Sequence, residues 1–292
     1  MTYRFGSRSY DLSSRTHIMG ILNVTPDSFS DGGRFLSHPR AIEHALAMVE
    51  QGADFIDVGG ESTRPKGLAY GEGAQSVPAS EELDRVLPVI EELAKSCDVP
   101  VSIDTYKAEV ADQALKAGAC IVNDISGFGF DAAMPFTVAR AGASAVVMHI
   151  KGTPRTMQEN PVYEDLFGEI LAFLRNALDR GVRAGIQQMF VDPGIGFGKT
   201  APDNFRLIAG LYRFSSLGYP LLIGPSRKSF LAIVPGIPPG DRLEGTLAAV
   251  TACVLGGAHV VRVHDVRETR RALQVADAIR EHIPQDAAFS RS

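Results

Sequence analysis

Short apolar runs recur along the chain at 18–22, 55–58, 99–103, 120–123, 145–148, 189–191, 221–224 and 260–263. They are mostly apolar without strict alternation, the pattern of strands covered on both faces in a parallel sheet. Helical spacing lies between them. Ile42, Ala45, Leu46 and Val49 follow the i, i+3, i+4, i+7 rule, with Ser37 and Pro39 as start signals. Leu83, Val86, Leu87 and Ile90 repeat it after Ser80, as do Val110, Ala111, Ala114 and Leu115, and again Leu166, Ile170, Leu174 and Leu178. Four of the runs follow a Gly-Ala pair: Gly52-Ala53, Gly118-Ala119, Gly142-Ala143 and Gly257-Ala258. Glycine there supplies the left-handed residue that stops a helix. Alternating units of this kind predict an α/β fold, a single (β/α)8 TIM barrel, with a doubly wound sheet as the alternative. The expected organisation is a lead-in hairpin over 1–16, a barrel over 17–283 and a polar tail over 284–292.

Composition narrows the field. The 292 residues carry 29 Lys and Arg against 34 Asp and Glu, a net charge of −5. A mildly acidic chain argues against bulk nucleic-acid binding, which rests on clustered cations. No apolar run reaches membrane-span length, and the start has no secretory h-region, so a cytoplasmic protein is expected. Cys97, Cys120 and Cys253 are widely spaced, which predicts free thiols rather than a disulfide or metal site.

In a barrel the chemistry gathers at the carboxyl ends of the strands. The residues just beyond the apolar runs are Asn23, then Glu61 and Thr63, Asp104, Asn123, His149, Asp192, Ser226 with Lys228, and Arg262 with His264. All eight ends carry a polar or ionisable group. Helix capping explains any one of them but not the set. Asp104, Asn123 and Asp192 suit a planar heterocycle with an amidine-like edge, because carboxylates accept adjacent N–H groups and an amide donates and accepts. Lys228, Arg262 and His264 follow the last two strands, where barrels often bind phosphate. The stretches after the first two runs, 23–33 and 59–78, are rich in Gly, Ser, Thr, Asp and Pro and read as mobile binding loops.

These residues carry a family resemblance. NVTPDSFSDGG at 23–33 and GGESTRP at 59–65 resemble two signatures of the dihydropteroate synthases. The likeness continues through Asp104-Thr105, Asn123-Asp124-Ile125, Met148-His149, DPGIGFGK at 192–199, Ser226-Arg227-Lys228 and Arg262-Val263-His264-Asp265. Lys66 after Pro65, and Pro225 before Ser226, depart from the commonest pattern.

The resemblance implies the same barrel and a transferase in folate synthesis. Such an enzyme joins a dihydropterin pyrophosphate to p-aminobenzoate and releases pyrophosphate. It further implies Mg2+ held by Asn23 and a pterin pyrophosphate site of Thr63, Asp104, Asn123, Met148, Asp192, Phe197, Gly224, Lys228, Arg262 and His264. A p-aminobenzoate site would comprise Phe29, Thr63, Pro65, Phe197, Ser226 and Lys228, with Asp104, Lys228, Arg262 and His264 catalytic. A homodimer is implied as well. Two other readings share the pterin contacts: a folate-to-corrinoid methyltransferase and a non-catalytic pterin-binding paralogue.

Overall fold

The computed structural model describes residues 1–6, 8–25, 34–63, 76–232, 238 and 241–283. A hairpin, β1 (Thr2–Phe5) and β2 (Arg8–Asp11), leads in. The strands that follow are β3 (His17–Asn23), β4 (Phe55–Gly59), β5 (Val101–Asp104), β6 (Ile121–Asp124), β7 (Ser144–Met148), β8 (Met189–Asp192), β9 (Leu222–Ile223) and β10 (Val260–Val263). After each comes a helix: α1 (Arg34–Glu50), α2 (Ala79–Ser96), α3 (Ala108–Lys116), α4 (Met134–Arg140), α5 (Leu166–Ala184), α6 (Ala201–Ala209), α7 (Leu243–Leu255) and α8 (Val266–Glu281). The sheet runs β8-β7-β6-β5-β4-β3-β10-β9, all parallel, and a parallel bridge between Val191 and Leu221 joins its two edges. The expected barrel and its eight strands are therefore present, and so is the hairpin.

The Gly-Ala repeat has the expected basis. Gly52, Gly118, Gly142 and Gly257 all have positive φ. The alanine after each donates back five residues, Ala53 to Met48 O, Ala119 to Ala114 O, Ala143 to Val138 O and Ala258 to Cys253 O, at 2.9–3.1 Å. That long return bond closes a helix and aims the chain into the next strand. Two helix starts differ from the sequence reading. α1 begins at Arg34, so Pro39 lies inside it. α2 begins at Ala79 with Pro78 as its cap, and Ser80 is already helical. Pro78 makes no side-chain cap bond, and its fixed φ only sets the chain's approach to the helix. The expected tail over 284–292 lies outside the described residues.

Side chains of alternate strand residues point inward. At the amino ends of the strands these are Met19, Phe55, Ile121, Val146, Phe190, Leu222 and Val260, one buried cluster with Phe5 and Leu12. The hairpin closes this floor. The Tyr3 hydroxyl donates to Met189 O at 2.8 Å, and the Gln188 side chain pairs with both backbone groups of Arg4. The outward residues pack on the helices in a second, larger core.

Candidate active site

Two residues beyond the apolar floor, the inward positions turn polar. Phe55 is followed on its face by Asp57, Ile121 by Asn123, Phe190 by Asp192 and Val260 by Arg262. Strand register sets their mouthward neighbours side by side. Asn23 pairs with Gly59, Gly59 with Asp104, Asp104 with Asn123, and Met148 with Asp192.

Arg262 is the centre of this group. Its Nε donates to Asp57 Oδ2 at 2.6 Å and its Nη2 to Asp104 Oδ2 at 2.5 Å. Asp57 Oδ2 also accepts from Asn123 Nδ2 at 2.9 Å. The guanidinium is thus forked between two carboxylates, which raises its pKa despite burial. Burial raises Asp104 above the ordinary carboxylate range, with Arg262 opposing the shift. Asp57, fully buried, was not among the expected site residues. Its signal was in the sequence: a carboxylate inside an apolar run, two residues after Phe55 and so on the same face.

Opposite stand Asp192 and Lys228. Burial raises Asp192 and lowers Lys228 to about 8, while their mutual attraction counters both shifts. Asp192 Oδ1 accepts from Gly194 N at 2.7 Å, and the Lys228 ammonium donates to Ile195 O and lies 4.6 Å from the Phe197 ring centre. The 192–199 turn owes its course to Gly194. Its φ is +71°, and a Cβ there would stand 1.9 Å from His149 O. Lys199, buried beneath, donates to Phe197 O at 2.9 Å and meets His149 Nδ1 at 2.9 Å. Burial and the neighbouring Lys199 drive the His149 pKa far down. This strand-end histidine is a neutral partner of a buried lysine, with its ring edge on Phe173.

His264 meets Ser226 in two places. Its backbone N–H donates to Ser226 Oγ at 3.2 Å, and its Nδ1 lies 3.0 Å from the same oxygen. The hydroxyl can then donate to Nδ1, which leaves the ring proton on Nε2. Burial, with Arg227 and Arg262 adding to it, lowers His264 to about 3. At pH 7 it offers a hydrogen bond rather than a positive charge. Arg227, between Ser226 and Lys228, has φ +57° and is tied to Asp265. Gly224 leaves the space beside the Arg262 stem open.

Structure thus gathers Asp104, Asn123 and Arg262 around Asp57, Asp192 and Phe197 around Lys228, and Ser226 against His264. Met148 is buried in register with Asp192; Asn23 is part-exposed at the end of β3, and Thr63 is part-exposed four residues past β4. Thr63 makes no described bond to the others. Phe29 and Pro65, with the rest of the two expected mobile loops at 26–33 and 64–75, lie outside the described residues.

The family model "Pterin binding enzyme" matches residues 19–264. A dihydropteroate synthase of Synechocystis sp. is 47% identical over 277 residues, covering 94% of this chain and 93% of that one. Among solved structures, the Yersinia pestis dihydropteroate synthase with a sulfonamide drug complex aligns with a TM-score of 0.88 at 42% identity. It covers 96% of this chain and 100% of its own. The Xanthomonas albilineans dihydropteroate synthase in complex with 7,8-dihydropteroate gives 0.85 at 37% identity, over 97% and 100%. With matches of this length and identity across the barrel and its mouth, the chain belongs to the pterin binding enzyme family, among its dihydropteroate synthases.

Proposed function

We infer that this chain condenses (7,8-dihydropterin-6-yl)methyl diphosphate with p-aminobenzoate, giving 7,8-dihydropteroate and pyrophosphate. The observation that carries the reading is the polar mouth itself, where three acidic side chains, an amide, a lysine and an arginine, buried or part-buried, gather at the carboxyl end of the barrel. In the proposed roles, Asp104, Asn123 and Asp192 meet the N–H edge of the pterin, and Lys228 its carbonyl side. Met148, Phe197 and Gly224 bound the flat slot. Arg262 and His264 face the diphosphate. Thr63, Ser226, Phe197 and Lys228 border the arylamine, with Phe29 and Pro65 completing that set.

The carbon–oxygen bond to the diphosphate breaks as the arylamine nitrogen bonds the methylene carbon, and the amine then loses a proton. The electron-rich pterin shares the positive charge on that carbon, so the chain needs no nucleophile of its own. Asp104 and Asp192 stabilise the cationic ring. Arg262 neutralises the departing diphosphate in a site with little water, where charge acts strongly.

Asn23 suits a magnesium ion chemically. Its amide oxygen is a hard donor, and Asn23 Oδ1 and Asp104 Oδ2 face the same side of Gly59, 3.8 and 3.7 Å from where a Cβ would stand. Among the described residues no group of three His, Cys, Asp or Glu side chains could hold a metal. The proposed ion would therefore take most of its oxygens from the diphosphate and water, a common magnesium environment. When bound, it supplies charge neutralisation on the leaving group.

A cytoplasmic homodimer accompanies the proposal on family likeness, and light scattering tests the dimer. No described helix is long and apolar enough to cross a membrane. The test of function is steady-state turnover of both substrates with and without Mg2+. Dihydropteroate and pyrophosphate should appear in equal amounts, only with p-aminobenzoate present and only with the metal. Pterin binding without turnover would favour the non-catalytic reading, and methyl transfer from a methylated folate the corrinoid one.

A further inference from the structure

Lys107 stands three residues beyond Asp104. Its ammonium donates to Glu61 Oε2, to Glu82 Oε2 at 2.5 Å and to Val77 O at 2.6 Å. All three of its N–H bonds are thereby used. The Tyr106 hydroxyl takes the other Glu61 oxygen at 2.6 Å, and Val77 N reaches Glu61 Oε2 at 3.4 Å. Arg85 Nη1 donates to Gly60 O at 2.6 Å. Gly60 itself lies hard against α2, since a Cβ there would meet Val86 Cγ1 at 2.7 Å and Glu82 Cγ at 3.0 Å.

The placement of these bonds gives them meaning. Glu61 is the second residue past β4, and Thr63 follows two residues later. Val77 stands just before α2. One ammonium therefore fixes the departure from β4 and the arrival at α2 together, on a base set by the strand that ends in Asp104. Glu61 and Glu82 side chains are 8% and 1% exposed and Lys107 18%, so solvent screens this cluster little. Burial works against the ammonium, but its bonds to Glu61 and Glu82 outweigh that and raise its pKa, so the charge is held at neutral pH. Tyr106 also leans edge-on against Phe130 at 5.4 Å, which fixes its ring. None of the cluster's hydrogen bonds described above reaches Asp57, Asp104, Asn123, Asp192, Lys228 or Arg262, and its tie to that group is the charge of Glu82, which adds to the upward shift of Asp104 and which Lys107 offsets.

We propose that Lys107, through Glu61 and with Tyr106, is a positioning residue that acts chiefly on the arylamine half of the site: it sets where the backbone carrying Thr63 leaves β4. This rests on the dihydropteroate synthase reading.

The test is initial-rate kinetics on the full chain with Mg2+, both substrates varied, for Lys107→Met, Lys107→Arg and Tyr106→Phe. In Lys107→Met the KM for p-aminobenzoate should rise about tenfold, with the KM for the pterin substrate held within about twofold. Arg, which has the donors to regain both carboxylates, should recover most of the loss. Tyr106→Phe removes one bond and should raise the arylamine KM about threefold. Should Lys107→Met fail to fold, Tyr106→Phe and Glu61→Gln carry the test with the same selective rise. An unchanged arylamine KM, or equal rises for both substrates, would overturn the proposal while leaving the functional reading intact. Absence of turnover by the wild-type chain would bring down the functional reading and this inference together.

Discussion

The floor and the mouth of the barrel are built by the same strands, one inward position apart, yet they do opposite work. At the floor, Phe5, Phe55 and Phe190 pack ring against ring, with Phe5–Phe55 edge-on at 5.3 Å and Phe5–Phe190 stacked at 6.2 Å. Fully burying such a side chain stabilises a fold by about 1.5–3 kcal/mol. At the mouth, Asp57, Asp104 and Asp192 lie close enough to compete for Arg262 and Lys228, and for Asp104, Asp192 and Lys228 the lost hydration is only partly offset by their partners, whereas for Arg262 the carboxylates outweigh it. A step of two residues along a strand therefore separates what stabilises the barrel from what the barrel holds in tension for a ligand. The hairpin matters because it seals the floor, leaving the mouth as the polar end.

Substitutions at the two levels should separate cleanly. Phe55→Ala should cost about 3–5 kcal/mol of stability, read from urea unfolding, because the floor has no means of collapsing around the cavity. Its kcat/KM per folded molecule should stay within about threefold; a matching loss of activity would show the two levels to be coupled. Arg262→Ala should do the reverse. Removing the charge proposed to act on the leaving diphosphate should cost about 2–4 kcal/mol in kcat/KM, or roughly 30- to 900-fold. The barrel should still fold, because Asp104, already pushed upward by burial, can take a proton once its partner has gone. Normal kcat/KM in this variant would remove Arg262 from the site. Asp57→Asn keeps the shape but weakens the hold on Arg262 Nε and Asn123. It should lower kcat/KM about tenfold, a charge-assisted hydrogen bond's worth. A wild-type rate would make Asp57 a core residue only.

Much of this division was legible in the sequence. Eight apolar runs, each ending in a polar group, gave the barrel and the level of its chemistry, because strand period and barrel closure leave little choice. The Gly-Ala repeat was readable for the same local reason: a left-handed residue must stop each helix. Asp57 was missed because reading only the ends of the runs ignores a charge within one, although its spacing from Phe55 put it on the inward face. His149 shows the opposite error available to that method. It ends its strand like the others but is engaged by Lys199, fifty residues away, a pairing that sequence spacing cannot reveal. The cluster of Glu61, Lys107 and Glu82 was hidden likewise, since three separate elements supply it.

Titration gives a smaller effect and the same contrast. At the mouth, burial shifts Asp104, Asp192, Lys228 and His264 toward neutrality, whereas the floor holds no group given a role in the proposed reaction. As pH falls through the raised Asp104 pKa, that carboxylate gains a proton and loses the charge on which its proposed support of a cationic pterin depends. As pH rises through about 8, Lys228 loses its proton. The profile of kcat/KM, which reports free-enzyme groups, should be a narrow bell whose acid limb lies above the usual carboxylate range. A flat profile from pH 5 to about 9 would mean neither group acts in the charged form assigned to it.

Whether the ring of strand ends at the mouth holds the pterin can be decided with Asp192→Asn. The change preserves shape but turns an acceptor-only group into one that also donates, placing a donor against the pterin's N–H edge. Calorimetric titration of a pterin analogue into this variant, the wild type and the surface control Asp179→Asn isolates that mismatch from general effects of lost charge. A dissociation constant about ten- to a hundredfold weaker is expected for Asp192→Asn, and an unchanged one for Asp179→Asn. Equal affinity in all three proteins would contradict a pterin held there.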